Sequence, residues 1–155
     1  MNSNSLSAFL LGITTCASVA VADDDFDPQP VIEGRQAALR DIGAAFKGVN
    51  DELKKSQPAL VLIRQYAVQI DDLAQHRDRW FPPGTGPESD VETLAKPEIW
   101  KQPKEFNAAL GAMSDQAAKL VKVANGGDVA AIKAQSQALG KTCKSCHDKF
   151  REEED

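Results

Sequence analysis

Leu39, Ile42, Phe46, Val49 and Leu53 recur at alternating intervals of three and four residues. That rhythm holds apolar side chains on one face of a helix. The helix is expected to start near Val31, after Pro28 and Pro30, and to end by Ser56. Leu60, Ile63, Ala67, Ile70 and Ala74 repeat the spacing. Ser56 is the expected N-cap of this second helix and Pro58 suits its first turn. It fades near Arg79. A long connection follows from Trp80 to about Gln102, rich in proline and carrying Gly84-Thr85-Gly86. Its length is enough to cross from one end of a helical bundle to the other.

A third helix is expected from Pro103, with Phe106, Leu110, Met113, Ala117, Leu120 and Ala124 as its stripe. Asn125-Gly126-Gly127 stops it. Asp128 then caps a fourth helix, whose Ile132, Leu139, Cys143, Cys146 and Phe150 face inward. No alternating strand pattern breaks the series. Four helices of roughly 20 residues, ~30 Å each, with short, long and short connections predict an all-α fold, an antiparallel four-helix bundle.

The chemistry lies near the end of the fourth helix. Cys143-Lys144-Ser145-Cys146-His147 reads Cys-x-x-Cys-His, the attachment signature of a c-type haem. Positions i, i+3 and i+4 share one helix face. Two thiols there can add across the haem vinyl groups, and the imidazole can ligate the iron. A redox dithiol is the competing reading, but it is expected after a strand and at a helix N-terminus, where thiol pKa falls. A zinc site needs a second ligand cluster. The remaining cysteine and histidine, Cys16 and His76, form none.

Charge and length narrow the setting. Leu6 to Val21 is apolar or small without a charge, and Ala20-Val21-Ala22 gives a small-x-small cleavage pattern before Asp23-Asp24-Asp25. Residues 1–22 are therefore expected to be a signal peptide, cleaved after Ala22 and taking Cys16 with it. The stretch before the start, Met1 to Ser5, lacks Lys or Arg, a departure from the usual pattern. Residues 23–155 then form one domain. Export is expected to place it in the periplasm, where covalent haem attachment occurs, free of the membrane once the signal is removed; an uncleaved signal would instead anchor it. The net charge of −5 argues against a nucleic-acid partner, which demands a basic face. No paired acid–base residues suggest an enzyme.

Taken together, the chain resembles the cytochrome c′ family, the high-spin class II c-type cytochromes, over about Val31 to Arg151. The resemblance rests on Gly34-Arg35-Gln36-Ala37-Ala38-Leu39, Phe81-Pro82-Pro83-Gly84-Thr85, Pro97-Glu98-Ile99-Trp100 and the run from Cys143 to Arg151. It departs in two places: Gly34 stands where the family often has Tyr, and the loop between Gly84 and Lys96 is long.

The resemblance implies one covalent haem c, bound by Cys143 and Cys146 with His147 as axial ligand. Low-spin relatives carry Arg-x-x-x-Met in the first helix. Here the pattern reads Arg35-Gln36-Ala37-Ala38-Leu39, and leucine has no lone pair. Leu39, with Phe81, is therefore expected on an apolar distal side over a five-coordinate iron that admits NO or CO and binds O₂ poorly. Arg35 and Gln36 match positions that contact the haem propionates, and Thr85 and Lys96 are expected at the haem edge. Arg151, four residues after His147, is expected on the same side of the helix, in the proximal pocket or in water. Family members are often homodimers through the first two helices. The competing function is a low-spin electron carrier, with Met113 or His76 on the iron. Met113 sits in a core stripe and His76 among charged neighbours, so neither position favours ligation. The redox partner protein is not legible.

Overall fold

The computed structural model describes residues 26–153. The expected signal peptide, its cleavage site and Cys16 lie outside the described residues. Four long helices form: α1 (Gln29–Glu52), α2 (Leu60–Gln75), α4 (Pro103–Gly126) and α5 (Val129–Phe150), with a one-turn α3 (Glu98–Lys101) before α4. Among the described residues there is no strand, only an isolated antiparallel bridge between Ala95 and Arg151.

The boundaries differ from expectation at α2. The helix begins at Leu60, so Ser56 is not its cap and Pro58 lies outside it. Ala59 is extended, and its N–H is capped from the preceding helix by Glu52 Oε2 at 3.1 Å. A carboxylate arriving from α1 thus does the work expected of a local hydroxyl. At α5 the expectation holds: Asp128 Oδ1 accepts from Ala130 N (2.9 Å) and Ala131 N (3.2 Å). Gly127, at φ +76°, closes α4 in the left-handed conformation.

Side-chain pairs fix the directions of the helices. Arg64 Nε donates to the Ala124 carbonyl, and Ser114 Oγ to that of Ala74. Moving up α2 therefore means moving down α4, and the two are antiparallel. The long connection therefore leaves and returns at one end of the bundle, as the antiparallel order requires. Gln135 bonds Gln116, and Lys149 pairs with Glu105, so α4 and α5 are antiparallel too.

The core is an aliphatic column of Ile63, Ala67 and Ile70 from α2, Ala117 and Leu120 from α4, and Ile132 and Leu139 from α5, all nearly inaccessible. All six expected stripe residues of α4 are buried. In contrast Leu39, Phe46, Cys143 and Cys146 are only half-buried. α1 packs along α2, α2 along α4 and α4 along α5, whereas α1 and α5 touch sparingly. These four side chains all line that opening.

Candidate haem site

A cleft of about 680 Å³ lies between α1 and α5, within the range of cofactor pockets. Cys143, Cys146 and His147 line it from α5. Arg35, Gln36, Leu39, Arg40 and Gly43 line it from α1. Phe81, Phe106 and Phe150 stack edge-to-face along another wall, with centroids 4.8 and 5.1 Å apart.

The register of α1 against α5 follows from two contacts. Ser136 Oγ bonds Asn50 Oδ1 at 3.1 Å. A Cβ on Gly140 would stand 3.1 Å from Phe46 Cζ, so the glycine admits the ring against α5. Seven residues back from Phe46 is Leu39, and seven forward from Gly140 is His147. The helices are antiparallel, so both shifts are two turns in the same direction. Leu39 and His147 therefore stand level on facing walls of the cleft.

Met113 also lines the cleft. The α4–α5 pairs place it level with residues 138–141, about two turns, or ~10 Å, from His147. It is packed in the core with Ala117 and Leu120. His76 lies outside the cleft, exposed, with Nδ1 2.9 Å from the Asp72 carbonyl oxygen.

The motif's own electrostatics disfavour a redox dithiol. Burial raises the Cys143 pKa; burial and then the neighbouring Cys143 push Cys146 up to about 11. A nucleophilic dithiol needs the opposite shift, and the motif sits at the C-terminal end of α5, where the helix dipole opposes a thiolate. The His147 pKa is lowered by desolvation and then by the Arg151 charge. A neutral imidazole is the form that ligates a metal.

Arg35 is 3% exposed. Nη1 donates to Thr85 Oγ1 (2.9 Å) and the Trp80 carbonyl (3.3 Å), Nη2 donates to Thr93 Oγ1 (2.7 Å), and the guanidinium lies 4.7 Å from the Phe81 ring centroid. Burial lowers its pKa to about 10, opposed by Glu88, so it is a cation at neutral pH. Its hydrogen-bond acceptors are all neutral. A buried cation held in this way is matched to an anionic group in the cleft, and haem propionates fit it. Gln36, beside it, donates to the Glu92 carbonyl at 3.0 Å.

Two expected edge contacts lie elsewhere. Thr85 is fully buried behind Arg35 and does not line the cleft. Lys96 does not line it either; its backbone N–H donates to the Phe150 carbonyl at 3.0 Å. Arg151 does line the cleft, but past the end of α5 in extended backbone, not on the helix. Sequence reasoning missed Arg40, Gly43 and Thr93. The first two follow Gln36 and Leu39 by four residues, a spacing that gave the signal. Thr93 sits in irregular backbone, where no periodicity marks it.

The model of the family described as cytochrome c′ matches residues 30–151. The chain belongs to the cytochrome c′ family. It is 33% identical over 144 residues to cytochrome c′ of Rhodospirillum rubrum, covering 93% of this chain and 94% of the relative. A solved cytochrome c′ described as having an unusual ligand-controlled dimer dissociation superposes with a TM-score of 0.77 at 27% identity, covering 83% of this chain and 98% of that one. A nitric oxide complex of a leucine-to-alanine variant from Alcaligenes xylosoxidans gives 0.74 at 26% identity, over 83% and 98%. As a cytochrome c′, the protein is a haem protein carrying covalent haem c, and the two thiols, imidazole and apolar walls of the cleft are a donor set that fits that group.

Proposed function

We propose that Cys143 and Cys146 would hold the haem through two thioethers and that His147 would be the one side chain to ligate its iron. When bound, the haem supplies a redox-active iron that can take a diatomic gas. The chain supplies the rest. His147 donates a neutral ring nitrogen. Leu39 and Phe81 would face the opposite side with neither a ligand nor a hydrogen-bond donor of their own, favouring NO or CO over O₂. Arg35 and Gln36 hold the propionates, with Thr85 acting through Arg35; the placement of Lys96 gives no support to its expected role. Arg151 borders the His147 side, where it influences a proximal gas.

The observation that carries this reading is the level placement of Leu39 and His147. The nitric oxide complex of the leucine variant of a relative supports it. Residues 1–22 act as an export signal and residues 23–155 work in the periplasm. Among the described residues no helix is long and apolar enough to cross a membrane. Exposed Val61 and Val68 on α2 suit a homodimer through α1 and α2.

Peptide mapping of the purified protein tests the attachment: haem mass on the peptide spanning 143–147 is expected, and free thiols there would overturn it. Titration of the ferrous protein with NO and CO tests the open side. A spectrum unmoved by both gases would instead favour an electron carrier with a filled sixth position. The presence of Met113 in the cleft is the one observation that favours that second reading; its two-turn offset from His147 weighs against it.

A further inference from the structure

The loop from Gly84 to Lys96 is fastened at its far end. Lys96 N donates to the Phe150 carbonyl (3.0 Å) and Glu152 N to the Leu94 carbonyl (2.8 Å), around the Ala95–Arg151 bridge. These bonds join the loop to the backbone just beyond His147. Thr93 immediately precedes them. Its Oγ1 accepts from Ala95 N at 3.2 Å and from Arg35 Nη2 at 2.7 Å. Two donors from different segments thus converge on one hydroxyl oxygen, one of them inside the fastened stretch.

Among the described residues the Arg35 guanidinium donates to three acceptors: the Trp80 carbonyl, Thr85 and Thr93. Trp80 and Thr85 both take Nη1, and Thr93 alone takes Nη2. The two bonds at Nη1 hold one edge of the planar fork, and the bond at Nη2 ties its other edge to the fastened loop, so the three together fix its plane. We propose that Thr93 is a positioning residue: its hydroxyl, anchored by the pairing of residues 94–96 with 150–152, sets the plane of the Arg35 guanidinium at the haem edge. This rests on the proposed place of Arg35 beside the propionates. The loop's length then has a purpose, since it carries a hydroxyl from the C-terminal end of α5 back to α1.

The test compares Thr93→Val, Thr93→Ser and Arg35→Gln in the haem-loaded protein. A positive charge near the iron favours the reduced state, so Arg35→Gln lowers the reduction potential. Thr93→Val, with Arg35 intact, is expected to shift it in the same direction by a smaller amount, and Thr93→Ser to restore it. A crystal structure of Thr93→Val is expected to show the guanidinium turned out of its Thr85 contact. Thr93→Ala serves if the valine variant does not fold. A drop in thermal midpoint with an unmoved potential and an unmoved guanidinium would make Thr93 merely structural and overturn the inference. A potential unmoved by Arg35→Gln would instead remove the reading of Arg35 itself, and this inference with it.

Discussion

Leu39 on α1 and His147 on α5 stand level across the cleft, each two helical turns from the contact of Phe46 with Gly140. That relationship decides what each substitution on the distal side should do. A side chain at 39 would face an iron held by His147, whereas one at 113 stands about two turns away.

Leu39→Met should place a thioether opposite the imidazole, giving a low-spin spectrum and a raised potential. Met113→Leu should leave the spectrum of the wild type unchanged. Absorption spectra of both variants check this. A wild-type low-spin spectrum lost in Met113→Leu would reverse the assignment.

Leu39→Ala should open the distal side and raise CO affinity by about tenfold, equivalent to ~1.4 kcal/mol. Leu39 is only half-buried, so the loss of stability should be about 1–2 kcal/mol, below the cost at a fully buried leucine. Equilibrium CO titration and denaturant unfolding measure the two effects separately.

His147→Ala should remove the axial nitrogen while Cys143 and Cys146 keep the haem attached. Added imidazole should restore the wild-type spectrum. Cys143→Ser with Cys146→Ser should leave no haem on the denatured chain in a haem-stained gel. Haem retained there would place the attachment elsewhere.

The effect of Arg35 should not depend on pH between about 5 and 9. Burial lowers its pKa from the usual guanidinium value to about 10 in the folded chain. Between those two values the unfolded chain binds more protons, so stability gains from this group as pH rises through about 10. Below that the guanidinium is charged in both states. The potential difference between wild type and Arg35→Gln should therefore be flat across neutral pH in voltammetry.

Much of this was legible in the primary structure because periodicity reports burial. The α4 stripe from Phe106 to Ala124 is buried as read, and Asp128 caps α5 as read. The motif from Cys143 to His147 announced the chemistry through its spacing alone. What escaped was tertiary. Glu52 caps α2 from another helix, and no local rule anticipates a partner seven residues away. Thr85, expected at the haem edge, is buried against Arg35 and does not line the cleft. Arg151 leaves the helical path after Phe150, so a spacing of four no longer assigns it a helix face.

Asp128→Ala should cost about 1 kcal/mol by removing the two cap bonds, a fall of about 4 °C in thermal midpoint for a domain of this size. The haem spectrum should not change, since the cap lies at the other end of α5 from His147. A spectral change would mean that helix stability and the iron site are coupled.

The most direct measurement is the EPR spectrum of the purified ferric protein, followed by the absorption spectrum of its ferrous form before and after NO. A high-spin signal and a ferrous spectrum that NO converts are expected if Leu39 leaves the iron open opposite His147. A low-spin signal with a spectrum that NO leaves untouched would contradict that claim.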